Sequence, residues 1–429
     1  MEGYDMEETR LILKNVGKIN PVSSKEYAVA GGYEGLKKAI AAPEAVIGAV
    51  SESGVRGRGG AGFPVGLKWK AVKDTAADQK YVVCNADESE PGSGKDRVIM
   101  SGDPHAVIEG MAICGVAVGA DKGFIYIRAE YPQVHETLEE AVSDARANGY
   151  LGKGILGSKL DFDIEIRSGA GSYACGEETG LIESIEGNRG EPRLRPPYPA
   201  VAGLWGMPTV VNNVETLANI PLIMRIGADG YRKVGTETCP GTKLFTLSGN
   251  IVNPGVYEFP MGVTMRRLFE EVGGGCPNGK KLKGIQVGGS ASGAFVTPDR
   301  LDVPLDIERC AAAGMSLGTG SLMFFDEDAD VIELCRGCME FFADETCAKC
   351  TPCRYGNKRI ADILGVILSG KGRMGDIEKL GKLSDYVSKN SLCGLGQAAP
   401  TPVLSALRNF RDDYVKACSS SGDSVRVIK

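Results

Sequence analysis

Short apolar runs alternate with longer amphipathic stretches through the first half of the chain. Tyr81–Cys84, Phe124–Ile127 and Phe162–Arg167 are rich in β-branched and aromatic residues, which predicts strands. Between and after them, stretches such as His135–Arg146 and Glu177–Glu186 place apolar residues at helical spacing. This alternation predicts an α/β unit over residues 1–240. Tyr81–Cys84 and Phe162–Arg167 each run into a loop rich in Gly or acidic residues, the pattern of a sheet whose strand ends present loops to a ligand. The Pro-rich string Pro192–Ala200 must be extended or kinked, because each proline fixes its own φ and restricts the residue before it. Over 241–329 the pattern changes. A strand at Lys243–Ser248, an Asn-Pro-Gly turn, a returning strand at Val256–Phe259, a short helix at Met265–Val272 and a strand at Gly284–Val287 fit a small β-grasp module. From about Asp330 the periodicity is helical, with glycine breaks near Gly370–Gly375 and Gly394–Gly396, which predicts a small helical bundle over 330–429. The Ser-rich end CSSSGDSVRVIK is expected to fray. We see no internal repeat.

Composition narrows the class. The 429 residues are 43% hydrophobic and 24% charged, an ordinary globular balance with length for about two to four domains. A net charge of −6 gives no global support for nucleic-acid binding. No apolar run approaches the length of a membrane span, and the acidic start MEGYDMEETR has no apolar targeting segment. The 13 cysteines are therefore read as thiols of a reducing, cytoplasmic compartment. With only His105 and His135, a multi-histidine metal site is excluded and a Ser–His–Asp hydrolase is poorly supplied.

Three cysteines fall within seven residues, Cys347, Cys350 and Cys353, and a fourth, Cys393, follows 40 residues later. One tight loop plus one distant turn suits a cubane [4Fe-4S] cluster, whose irons each take one cysteine sulfur. Structural zinc sites more often use two separated CxxC pairs. The alternatives are a zinc knot and four buried free thiols. Cys335 and Cys338 share a helix face, with no second pair to complete a metal site, and read as core thiols. Cys84 and Cys175 read as small packing residues.

The stretch Gly57–Gly62 matches GxGxxG, but it follows a helix (Glu44–Ser51) and not a strand, which argues against a dinucleotide fingerprint. Either it is a plain turn, or its backbone N–H groups approach a phosphate that Arg56, Arg58 and Lys68 help neutralise. The loops Asn85–Gly92 and Gly169–Glu178 offer acceptors for ribose or ribityl hydroxyls, or are solvated acidic loops. Asn212, Asn213 and Thr216 add neutral donors and acceptors beside a helix start.

GVRGRGGAGFPVGLKW, NADESEPG, GAGSYACGEETG, PRLRPPYPA, LWGMPTVVNNVET and ETCAKCTPCR…SLCGLG occur in this order. Together they closely resemble the flavoprotein NADH-dehydrogenase subunit of respiratory complex I and its relatives in NAD-linked hydrogenases, formate dehydrogenases and electron-bifurcating complexes. The resemblance covers about Val46–Tyr414. It implies an N-terminal Rossmann-like domain for FMN and NAD(P)H, a central ubiquitin-like β-grasp (SLBB-like) domain and a helical bundle holding a [4Fe-4S] cluster on Cys347, Cys350, Cys353 and Cys393. In that family NADH passes hydride to FMN, and single electrons leave through the cluster to a thioredoxin-like iron–sulfur subunit. Carried over, Gly57, Arg58, Gly59, Gly60 and Lys68 form the phosphate region. Asn85, Asp87 and Glu88 hold the flavin's polar side. Tyr173, Gly176, Glu177, Asn212, Asn213 and Thr216 complete the pocket. Phe63, Glu90, Glu178, Arg195 and Tyr198 face the nucleotide, with Glu90 and Glu178 the catalytic candidates and Phe63 and Tyr198 the stacking surfaces for adenine.

Departures bear on nucleotide choice. Ala71 stands where an aromatic residue is common, Gly94 where Phe is usual, and Arg195 and Tyr198 replace a frequent Lys and Phe. The reading is thus an FMN-dependent NAD(P)H dehydrogenase subunit of a multi-subunit redox complex. The alternatives are a bifurcating subunit of a hydrogenase or formate-dehydrogenase-type complex, or a non-catalytic scaffold with a structural zinc.

Overall fold

A computed structural model describes residues 8–419. The expected frayed tail lies almost wholly outside the described residues. The first sheet has four parallel strands, β1 (Tyr81–Ala86), β2 (Lys122–Ile127), β3 (Asp163–Ser168) and β4 (Thr209–Asn213), in the order β3-β2-β1-β4. The central strands are buried on both faces (Val82, Val83 and Cys84 in β1, Phe124–Ile127 in β2), which is why they read as unbroken apolar runs. On one face lie the helices Pro104–Val118, Pro132–Ala147 and Val214–Arg232, in one large core with Val82, Ile125, Leu138 and Leu217. On the other, the short helix Glu178–Ile185 sets Leu181 and Ile182 against Val83, Phe124 and Val211. Pro at the start of Pro43–Glu52, Pro104–Val118 and Pro132–Ala147 is pre-set for the first helical turn and gives up no needed hydrogen bond. The chain steps from β1 outward to β2 and β3, then returns to place β4 on the opposite side of β1. That reversal opens a crevice at the carboxyl ends of β1 and β4.

The second sheet holds β5 (Thr242–Gly249), β6 (Gly255–Pro260), β7 (Leu282–Val287), β8 (Ala294–Val296) and β9 (Ser321–Asp326) in the order β6-β5-β9-β7-β8. β5 and β6 pair antiparallel as a hairpin, whereas β5 and β9 run parallel. Phe245, Leu247, Phe259, Leu268 and Phe324 fill its core. The third unit packs the helices Val331–Glu345, Thr351–Val366, Met374–Asn390, Thr401–Asn409 and Arg411–Ser419 around Met339, Ile360, Leu364, Leu380 and Val403. Gly370, at φ 72°, breaks the path between two of these helices as expected. The second expected break is displaced. Gly394–Ala398 is itself a short helix, and the chain turns just before it, at 391–393. Among the described residues no helix is long and apolar enough to cross a membrane.

Candidate flavin and iron–sulfur sites

The register across the crevice sets Cys84 opposite Asn212 and Asn85 opposite Asn213. Each amide is fixed. Asn85 donates Nδ2 to the Gly176 carbonyl (2.8 Å) and accepts from the Asp87 N–H (3.2 Å). Asn212 accepts from the buried Trp69 indole at 2.8 Å. Asn213 caps the helix Val214–Arg232 through the Glu215 N–H (3.1 Å) and donates to Asp96 (2.7 Å). Thr216, in the first turn of that helix, accepts from the Arg58 N–H at 2.8 Å and so draws the glycine loop over the helix start. The approach requires glycine: a Cβ on Gly59 would lie 2.9 Å from the Asn213 Cβ. Lys68, on the helix Val65–Asp74, reaches the Val211 carbonyl and Glu178, each at 3.0 Å. Glu177 caps the helix Glu178–Ile185 through the N–H groups of Thr179 and Gly180. Arg195 lies 3.2 Å from Glu178, with its guanidinium over the Tyr198 ring. Phe63 and Tyr198 stand outside, 52% and 57% exposed.

Two of the sequence-predicted residues are placed differently from the roles given them. The Arg58 guanidinium turns away from the crevice and into the protein, where it donates to the Pro240 carbonyl at 2.7 Å. Arg56 is likewise engaged, by the Gly62 carbonyl and Glu308. Of the three cations flanking the loop, only Lys68 reaches the β4 end. Glu88 is spent on the backbone. It accepts the N–H groups of Asp96 and Arg97, both at 2.9 Å, at the start of the helix Lys95–Gly102. Burial, with Asp96 beside it, pushes the Glu88 carboxyl up to about 7. A capping interaction of this kind cannot be told from a ligand contact by composition alone.

Beside the crevice a cavity of about 280 Å³ is lined by Asp87, Glu90, Arg128, Glu130, Tyr173 and Glu345, among others. That is near the lower bound of small-molecule sites. Burial pushes Asp87 up to about 7. Glu90 is buried, and its Oε2 accepts from the Tyr173 hydroxyl at 2.6 Å. Tyr173 meets the rings of Phe341 and Phe342 edge-on, and its N–H donates to Glu345 at 2.9 Å.

A buried ionic network escaped the sequence reading. Glu215, wholly buried, accepts from Lys243 (2.6 Å), Lys95 (3.0 Å) and the Leu244 N–H (2.9 Å). Lys95 also pairs with Asp96 at 2.6 Å. Burial acts on Glu215 first, yet Lys243, Lys95 and Arg58 hold its carboxyl below the usual range. Burial lowers Lys243 to about 8 against the pull of Glu215. Lys95, Asp96, Glu215 and Lys243 are scattered over three elements, so no local spacing signals them.

Cys347, Cys350, Cys353 and Cys393 line one small apolar void with Ala174, Pro192 and Leu395. They ring it and do not converge. Among the described residues no three His, Cys, Asp or Glu groups are close enough to hold a single metal ion. A ring of four thiols suits a multi-iron cluster; a zinc knot needs convergence on one point. The turn Tyr173–Gly176 stands between the two sites, with Tyr173 lining the acidic cavity and Ala174 the cysteine void. Cys335 and Cys338 lie elsewhere, buried in the core of the helical unit. Cys84 and Cys175 are also buried.

A parallel sheet with its crevice at the strand reversal, one turn of backbone from a four-thiol ring, defines the flavin and iron–sulfur class of electron-transfer oxidoreductases. Comparison with known proteins makes this particular. Residues 50–222 match the Nuo51 FMN-binding domain, residues 244–292 the SLBB domain and residues 333–417 the NADH-ubiquinone oxidoreductase-F iron–sulfur binding region. The chain is 48% identical to the NADP-reducing hydrogenase subunit HndC of Solidesulfovibrio fructosivorans over 96% of its own length and 84% of that protein. It is 42% identical to the F-type NADH-quinone oxidoreductase subunit of Escherichia coli (strain K12), over 92% and 89%. An air-oxidized NAD+-reducing [NiFe]-hydrogenase superposes with a TM-score of 0.83 at 36% identity, covering 96% of this chain and 67% of the hydrogenase chain. The chain belongs to the FMN-binding, iron–sulfur NADH-dehydrogenase flavoprotein family.

Proposed function

We propose that the chain is the NAD(P)H-oxidising, FMN-dependent subunit of a multi-subunit redox complex, and that it hands electrons from the crevice to the cysteine-ringed site. The observation that carries this is the shared wall, in which residues 173 and 174 face the two sites in turn. When bound, FMN takes up hydride from a nicotinamide and the [4Fe-4S] cluster carries single electrons onward.

The residues present fit both groups. The start of the nineteen-residue helix Val214–Arg232, the Gly57–Gly60 backbone and Lys68 supply the positive field a phosphate needs. Asn85, Asp87, Gly176, Glu177 and Asn213 supply the polar side of a ribityl chain and ring. Tyr173 and the Phe341 ring exclude water between the sites. Phe63 and Tyr198 offer exposed ring faces for adenine, with Arg195 and Glu178 at the ribose end, and Glu90 faces the nicotinamide end. We assign 1–240 to a Rossmann-like domain, 241–329 to a β-grasp domain and 330–429 to the cluster-binding bundle. We further propose a thioredoxin-like iron–sulfur subunit as the electron acceptor and a cytoplasmic setting. Anaerobic purification should yield about one FMN and about four irons per chain, with NADH- or NADPH-dependent ferricyanide reduction. A folded protein free of flavin and iron, and inert to both nucleotides, would overturn the assignment.

A further inference from the structure

Glu90 belongs to the first unit, but most of what holds it belongs to the second. The loop between β7 and β8 places three donors on one carboxylate oxygen: the N–H groups of Ala291 and Ser292, both at 3.0 Å, and the Ser292 hydroxyl at 3.1 Å. Ser290 adds a backbone bond to the Pro91 carbonyl at 3.1 Å. The two loops mesh at their glycines. A Cβ on Gly289 would lie 2.1 Å from Glu90 Oε1, and one on Gly92 would lie 2.2 Å from the Ser290 hydroxyl. The third unit backs the loop from behind, where the Cys338 thiol, unexplained by the sequence, donates to the Ser290 carbonyl at 3.5 Å. Ala291 packs with Phe342 and Ala399, against Tyr173.

We infer that the 288–293 loop is a positioning element for the nicotinamide nucleotide site, with Ser292 and Gly289 as its positioning residues. It holds Glu90 in one orientation, and Glu90 in turn holds the Tyr173 hydroxyl. The middle unit therefore supplies a working wall of the nucleotide pocket. A carboxylate with a single rotamer, its charge met by three fixed donors, is pre-organised to receive a nucleotide. A free one would lose side-chain entropy on binding. The inference rests on Glu90 facing the nucleotide, as proposed above.

The test uses the full chain loaded with FMN and cluster. NADH and NADPH affinity is read by calorimetry with the oxidised nucleotide, and turnover with ferricyanide. Ser292→Ala should raise Kd and KM roughly three- to tenfold, the range expected for one lost charge-assisted hydrogen bond. Its kcat should stay within about twofold and its flavin and iron content should not change. Ser292→Thr, which keeps the hydroxyl, should restore Kd. Gly289→Ala, which drives a methyl into the carboxylate, should weaken binding further. Glu90→Gln should weaken binding too, and adding Ser292→Ala to it should cost little more, because both act through one contact. If Glu90→Gln weakens binding while Ser292→Ala and Gly289→Ala do not, the loop is not a positioning element and only this inference falls. If Glu90→Gln leaves Kd unchanged, the nucleotide role of Glu90 falls and the inference with it. Additive Glu90 and Ser292 effects would also overturn it.

Discussion

Glu215 ties two units together, and neutralising it should loosen that junction by a calculable amount. Its carboxylate holds Lys243 at 2.6 Å and Lys95 at 3.0 Å, and all three side chains are at most 1% exposed. At an effective dielectric near 20, each contact carries roughly 5–6 kcal/mol of gross attraction, most of which offsets the desolvation of the three charges. Removing one partner of such a buried set typically costs about 3–5 kcal/mol, because the remaining charges are left unmet. Glu215→Gln keeps the shape. It leaves Lys95 with its ion pair to Asp96, and leaves Lys243 without one. Lys243 has an escape. With its pKa at about 8, it can shed its proton at pH 7 for roughly 1–2 kcal/mol, so the loss should sit near the low end, about 3 kcal/mol.

The pH dependence follows from the same value. Between pH 7 and 9 the wild type itself loses the Lys243 proton, whereas the variant has already lost it. The wild-type native state therefore binds more protons than the variant's in this window, and its advantage must shrink as pH rises, by roughly 1–2 kcal/mol. Urea unfolding followed by the fluorescence of Trp69, which is buried and hydrogen-bonded to Asn212, measures both. A loss of about 3 kcal/mol should move the midpoint down by about 1 M or more at usual urea slopes. An unchanged midpoint at pH 7, or a gap that widens at pH 9, would refute the account of the network.

Other outcomes are expected. Cys393→Ala should strip iron from the protein while leaving FMN at wild-type stoichiometry, since the thiol ring and the crevice are built by different units; metal and flavin analysis of one preparation decides it. Gly59→Val should release FMN from a folded protein, because even a single Cβ there would meet Asn213 at 2.9 Å; flavin retained at full occupancy would remove the loop from the site. Glu258 is buried among the N–H groups of Ile12 and Leu13, and burial pushes its carboxyl up to about 7. Its contribution is full below the ordinary glutamate value and is lost as pH rises through 7. Between pH 4.5 and 7, wild type should lose about 3 kcal/mol relative to Glu258→Gln, and parallel stability curves would show that Glu258 titrates normally.

The sequence announces some of this design and conceals the rest, for physical reasons. β1, β2 and β3 are legible because strands buried on both faces need unbroken apolar runs. β4 is not, because Thr209–Asn213 ends in the two asparagines that serve the crevice, and a polar end hides a strand. β9 is missed for a different reason: its partners β5 and β7 lie far back along the chain, and no hairpin turn announces the pairing. The thiol ring is legible from spacing, since three of its members come from one loop. Arg58 and Glu88 carry the right chemistry in the right motif, yet they spend it on Pro240 and on a helix start. A motif fixes which residues are near a site, whereas the direction of a side chain is settled by contacts that are distant in sequence. The Glu215 network and the Ser292 loop are of that second kind, with partners 28 and 202 residues apart.

One consequence concerns why three units must be held rigidly at all. Adjacent residues of a chain have Cα atoms 3.8 Å apart, so sites walled by residues 173 and 174 are separated by about the thickness of one turn. A gap that small persists only if the helical unit cannot drift from the sheet. The contacts that stop it are concentrated there. Arg189 donates to the Cys347 carbonyl at 2.8 Å, Lys349 to the Pro192 carbonyl at 2.8 Å, and the Tyr173 N–H to Glu345, two residues before the first thiol of the ring. Each joins the cysteine loop or its approach to the segment that borders the crevice. None of the three lies in the apolar core of either unit, where stability alone would place them. Their position is explained if what they protect is a distance, namely the span an electron has to cross between the crevice and the thiols.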